Sequence, residues 1–167
     1  MRIYKMRHLI FICVLFFMII VCGCEEQIQT KQTDFPVIET QKSCLFVPEK
    51  IRFNQLTEFA QDWQITAYVD MLDQFGSRIK AAGIWRFELH EYVPRSAEPK
   101  GTRLYIWPDI DLTDAKTNYG LWQDYLRCYK FDLNLDIDLA GDKTYVLQAE
   151  CFTADGKRIT DSIELKL

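Results

Sequence analysis

Glycine, proline and histidine are all scarce in this chain: 167 residues include 7 Gly, 5 Pro and 2 His. With so little glycine, few stretches of backbone can wrap closely around a phosphate, and no phosphate-cradling Gly-rich loop occurs. Neither a G-x-S-x-G nucleophile elbow nor an H-E-x-x-H metal motif is present. His8 belongs to the N-terminal head, which leaves His90 for the rest of the chain. His90 falls on the polar side of an alternating run, beside Arg86 and Glu88, and reads as a surface histidine rather than a general base. The pattern asks for no cofactor and points away from an enzyme. Glycoside hydrolysis by two carboxylates ranks third among the readings.

Runs of basic residues are missing too, and the formal net charge is −4. A net acidic chain without a basic stripe has no electrostatic case for nucleic-acid binding. Long hydrophobic runs are missing as well. The longest, Leu9 to Val21, covers about 13 residues, well short of the ~20 that a membrane-spanning helix needs. Cysteine is present, with 6 residues, but not in a pattern that builds a disulfide framework. Once the N-terminal Cys13, Cys22 and Cys24 are set aside, the odd set Cys44, Cys128 and Cys151 remains, with no C-x-x-C spacing. Alternation puts Cys128 and Cys151 on opposite faces of what read as neighbouring strands, so three free thiols are expected.

What is present begins at the N-terminus. A basic head (Arg2, Lys5, Arg7), a short apolar run and a small-residue exit have the form of a secretory signal over residues 1–23. Its last residues, Val21-Cys22-Gly23-Cys24, resemble the lipobox of bacterial lipoproteins. That resemblance implies cleavage before Cys24, lipid on Cys24, and a protein held on a bacterial cell-envelope membrane with its domain outside the cytoplasm. Glu25 rather than Asp after the cysteine favours the outer membrane. The cleaved chain would carry 17 basic and 24 acidic residues, a net charge of −7. Charge would therefore not draw it to anionic lipid, and the acyl chains alone would hold it.

Residues 24–44 are polar, with Pro36 breaking what pattern there is, and read as a flexible tether. A coil of that length spans roughly 25 Å. From Leu45 to Leu167 the dominant period is two, the mark of half-buried strands. The alternation predicts an inward face made of Trp63, Ile65, Val69, Trp85, Phe87, Leu89, Phe131, Leu133, Leu147 and Ala149. Asp73-Gln74-Phe75-Gly76 and Ala154-Asp155-Gly156 supply turn chemistry. About seven strands, few helices and about 120 residues predict an all-β fold, an antiparallel two-sheet Ig-like sandwich. A short helix or irregular crossover is expected near 113–126, where Thr113 or Asp111 would cap and Trp122, Tyr125, Leu126 and Tyr129 recur at helical spacing.

The run Ile65-x-Ala67-x-Val69, then Asp73-Gln74-x-Gly76-x-x-Ile79, Ala82-Gly83 and Phe87-x-Leu89 is similar to the early strands of bacterial Ig-like domains of the invasin and intimin kind. The resemblance covers about 25 residues. It implies an architecture and an adhesive or scaffolding role, not an activity. The chain thus reads as a lipid-anchored envelope protein with a non-catalytic binding or structural domain, whose partner is an envelope protein or a glycan. A carbohydrate- or Ca²⁺-binding module is the alternative.

Contact with a ligand or partner is expected in the segment the strand pattern does not demand, through Trp107, Asp109, Asp111, Asp114, Tyr119 and Trp122. Asp109, Asp111 and Asp114 are the candidate Ca²⁺ ligands, since Ca²⁺ gathers six to eight oxygens. Helix capping and turn formation are the plainer use of those carboxylates. Likewise, packing of an irregular crossover is the plainer use of the aromatics.

Overall fold

Strand alternation becomes two layers in the computed structural model, which describes residues 46–167. The expected signal and tether, with Cys24 and Cys44, lie outside the described residues. The elements are β1 (Lys50–Phe53), β2 (Glu58–Gln61), β3 (Gln64–Leu72), β4 (Gly83–Tyr92), β5 (Lys100–Ile106) and β6 (Ile110–Asp111). Then come a helix α1 (Ala115–Leu121), β7 (Trp122–Gln123), β8 (Cys128–Asn134), β9 (Thr144–Thr153) and β10 (Arg158–Lys166). One sheet runs β1-β3-β8-β7, with β2 also on β3; the other runs β10-β9-β4-β5, with β6 also on β4. Every pairing is antiparallel. The protein is an antiparallel two-sheet sandwich. Seven of its strands match the seven expected from alternation, and the additions (β2, β6, β7) are short and bury no residue, so they show no alternation.

The core forms where the apolar sides of the two sheets meet. Ile65, Ala67, Val69 and Met71 of β3 and Tyr129, Phe131 and Leu133 of β8 face Trp85, Phe87 and Leu89 of β4 and Leu147, Ala149 and Cys151 of β9. Phe131 contacts both Trp85 and Phe87 across the sandwich, with ring centroids 5.2 and 4.8 Å apart. Such tilted aromatic pairs add to the plain burial of area.

Trp63 departs from the expected inward set: it is 51% exposed. Strand β3 begins one residue later, at Gln64, and Trp63 sits in the turn from β2, so the pleat never aims it at the core. The two described cysteines are free, as expected, but for a different reason. Cys128 lies on β8 and Cys151 on β9, which belong to different sheets rather than neighbouring strands of one. Burial raises the thiol pKa of both, that of Cys151 to about 12. His90 is also not on the surface. It is buried, with Nε2 3.0 Å from Glu88 and Nδ1 3.3 Å from the Gly101 carbonyl oxygen, because long side chains on the outer face of that sheet cover one another.

Gly76 and Gly83 show, respectively, a turn and a close approach that this fold needs. Gly76 has φ +78° in the turn after β3, where Asp73 Oδ1 accepts from the Phe75 and Ser77 N–H groups. Gly83 opens β4 against β9, and a Cβ there would lie 2.7 Å from Cys151 Sγ and 3.0 Å from the Phe152 carbonyl oxygen. Gly83→Ala should therefore cost about 1–3 kcal/mol through overpacking, read as a lowered urea midpoint. An unchanged midpoint would mean that β9 yields freely at this contact.

Candidate functional site

The segment from Trp107 to Leu126 links β5 to β8 and crosses the end of the sandwich. At its start, Trp107 ties the two sheets together. Its backbone N–H donates to Phe87 O of β4 (3.1 Å), and its indole N–H donates to Asn134 O of β8 (2.6 Å). The ring is 6% exposed and meets Tyr105 edge to face at 4.9 Å. Trp107 is thus a core residue and cannot be a contact residue in the folded domain. Next, Asp109 takes the fork of Arg86, with Nε and Nη2 at 2.9 and 2.8 Å from its two oxygens. Leu112 is buried, and its N–H bonds the Gly83 carbonyl (2.9 Å).

The three aspartates do not converge. Asp111 accepts from Thr113 N and Oγ1 at 2.8 and 2.6 Å, and Asp114 accepts from Thr117 N and Oγ1 at 2.8 and 2.7 Å. Among the described residues no three His, Cys, Asp or Glu side chains are grouped to hold a metal ion. These bonds favour the ionised carboxylates. Asp109 is held below the usual range by Arg86, Asp111 by Thr113 and Asp114 by Thr117. The cap of α1 is Asp114, not Thr113 or Asp111, and it meets the first turn through Thr117 N.

Helix α1 buries none of its residues fully; only Leu121 packs partly against the core, and polar bonds supply the rest of its hold on the domain. Asn118 Nδ2 donates to Ala81 O (3.0 Å) and Leu112 O (2.9 Å), while its Oδ1 lies 2.9 Å from the Tyr129 hydroxyl. The helix stops at Leu121. Trp122 then pairs with Tyr129 as β7 rather than extending the helix through Tyr125, because the chain turns back at once into β8. Asp114→Ala should weaken α1 selectively, since it removes the acceptor of Thr117 N–H. Acid should act in the same direction. A lowered carboxylate pKa stabilises above the unfolded value and the gain is lost as pH falls through the folded one, so α1 should loosen below about pH 4. Amide exchange at residues 115–121 measures it, and protection unchanged from neutral to low pH would count against the cap.

Exposed aromatics gather beside this helix. Tyr119 is 68% exposed; Trp122 is half-buried and lies edge-on to Tyr129 at 5.1 Å. Lys80 Nζ sits 5.1 Å from both ring centroids, within cation–π range, and 3.5 Å from Asp124. Lys80, Ala81, Leu112, Asn118 and Tyr119 line a shallow depression of about 390 Å³. Of the six expected contact residues, only Tyr119 and Trp122 come together. Lys80, which joins them from the β3–β4 connection, has no sequence pattern that marks it. No family model matches this chain, and neither a curated protein nor a solved structure matches it.

Proposed function

We propose that this chain is a lipid-anchored protein of the bacterial cell envelope, outer membrane preferred, whose sandwich is a non-catalytic binding or structural domain. The observation that carries the reading is Gly23-Cys24 at the end of a short apolar run behind a basic head. The sandwich geometry supports a non-catalytic role because the groups best suited to acid–base work are engaged in holding strands. His90 faces Glu88 and Gly101 O, Glu88 also pairs with Arg103, and Asp109 is closed by Arg86. An Ig-like module of the invasin and intimin kind is the finer form of this proposal.

A carbohydrate-binding module is the second reading, favoured by one feature: Tyr119 presents its ring at the edge of a mostly apolar depression. A bound Ca²⁺ would have to displace Arg86, Thr113 and Thr117 from carboxylates they already hold. The anchor is tested by labelling cells with an alkyne palmitate analogue. The wild-type chain should take up label and sediment with membranes, and Cys24→Ser should do neither. An acylated, membrane-bound Cys24→Ser protein would defeat the proposal. Retention on insoluble polysaccharide that falls in Tyr119→Ala would favour the second reading.

A further inference from the structure

Asp70 sits on the outer side of β3, almost wholly buried at 1% exposure, beneath two guanidiniums. Arg52, its cross-strand neighbour on β1, places Nη2 3.0 Å from Oδ2. Arg78, from the β3–β4 connection, places Nη2 3.1 Å from the same oxygen. The other oxygen, Oδ1, is buried and accepts no hydrogen bond among the described residues. The Arg86–Asp109 contact is built differently: Arg86 closes both oxygens of Asp109 with a two-pronged fork. At Asp70 each arginine gives one prong to a shared oxygen. A guanidinium carries five N–H donors, so most of the donor capacity of Arg52 is left over.

The surplus is in charge as well as in donors. Two guanidiniums meet one carboxylate among the residues that line the depression; Asp161, which accepts from Phe53 N–H at 2.8 Å, is not one of them. Arg78 is fixed in place, since its Nη1 donates to Leu126 O at 2.9 Å while its own carbonyl accepts from Arg127 at 3.1 Å. Arg52 is half-exposed, at 53%. Together with Phe53, Asn54, Gln55 and Asp70 they line a depression of about 370 Å³, a size that admits a small solute or the end of a chain. Asn54 gives its side-chain oxygen to Leu56 N–H (3.1 Å), which leaves its amide N–H groups as further donors at the rim.

The geometry points to a binding site for a small oxyanion, a carboxylate or a phosphate, held by Arg52 and Arg78 over the buried Asp70. Asp70 acts as the platform: it orients both guanidiniums and cancels one of their charges, so that a singly charged oxyanion completes the balance. Arginine suits this role because its planar fork matches two oxygens of one anion. The site is independent of the anchor and of the aromatic cluster beside α1.

Nuclear magnetic resonance of the arginine Nε–Hε groups tests it, on the full chain in non-ionic detergent micelles. Sodium acetate and sodium phosphate are titrated against sodium chloride at matched ionic strength. In a separate arm, phosphatidylglycerol is added to the micelles. Saturable shifts confined to Arg52 and Arg78 are expected. If the soluble anions produce them, the ligand is a free solute; if only the doped micelles do, it is a headgroup phosphate. Arg52→Gln should weaken the binding about tenfold, and Arg52→Lys should restore part of it. Gln55→Glu leaves Asp70 and both arginines intact and should also weaken it, which covers the case in which Arg52→Gln misfolds. Shifts no larger than those with chloride, shifts shared equally by the exposed Arg95 and Arg103, or binding that survives both Arg52→Gln and Gln55→Glu would overturn the assignment.

Discussion

Trp107→Ala should lower stability by about 3–5 kcal/mol, a fall in Tm on the order of 10–20 °C. The side chain is buried, so its loss opens a cavity, and it also removes two connections. The indole N–H reaches Asn134 O, the last residue of β8, while the ring packs edge-on against Tyr105 of β5. Because Trp107 N–H also bonds Phe87 O, this residue sits where one sheet is fastened to the other. Trp107→Phe restores most of the volume but leaves the Asn134 carbonyl without its donor, and should still cost about 1–3 kcal/mol. Differential scanning calorimetry of both variants decides between this placement and a surface one. A Tm for Trp107→Ala within a degree or two of wild type would put the ring outside the core.

Trp85→Ala should be as severe, about 3–5 kcal/mol, because Trp85 stacks on Phe87 at 6.2 Å and packs against Phe131 and Tyr129 in the centre of the sandwich. The phenylalanine variant should behave differently here. The Trp85 indole N–H is buried with no acceptor among the described residues, so the native state already bears the cost of an unpaired donor. Trp85→Phe removes that donor and part of a ring, and the two effects oppose each other. It should therefore cost clearly less than Trp107→Phe, measured as the difference in urea midpoints. Equal costs would mean that the Trp85 N–H has a partner after all.

Most of the sandwich was legible because seven strands are long enough to alternate. The inward positions Ile65, Ala67, Val69 and Met71, Trp85, Phe87 and Leu89, and Leu147, Ala149 and Cys151 read correctly from period two. Trp63 misread because parity extends past the end of a strand on paper, while the pleat stops where the pairing stops. His90 misread for another reason. It lies on an outer face, as Asp70 does, where alternation predicts exposure, but charged side chains of the same strand, a neighbouring strand and the β3–β4 connection lie over them. Alternation reports which face a residue is on, not what covers that face.

The candidate site was legible only in outline. A capped short helix is expected here with Thr113 or Asp111 as the cap, and the cap falls on Asp114, which accepts from Thr117 N–H. Trp122, Tyr125, Leu126 and Tyr129 recur at helical spacing, yet the pairing of Trp122 with Tyr129 takes over because a tight hairpin forms there. Lys80 and Arg78 reach their partners from a connection far away in sequence, and no local pattern signals a contact of that kind.

The side chains of Gln64 and Asn134 touch at 2.9 Å although they stand 70 residues apart, and they mark the far end of the β3–β8 ladder. The β4–β9 ladder is also non-local, whereas β9 and β10 are joined by a turn in which Gly156 N–H bonds Thr153 O. Loop-closure entropy opposes the long ladders until many contacts form together, so the β9–β10 and β4–β5 hairpins are the substantial pairings that can form early. Folding should then be slow for the domain's size, in the millisecond-to-second range of sandwiches with distant pairings. During that interval the hydrophobic strands β3 and β4 have unpaired edges, and the competing reaction is pairing with the same strands of another chain.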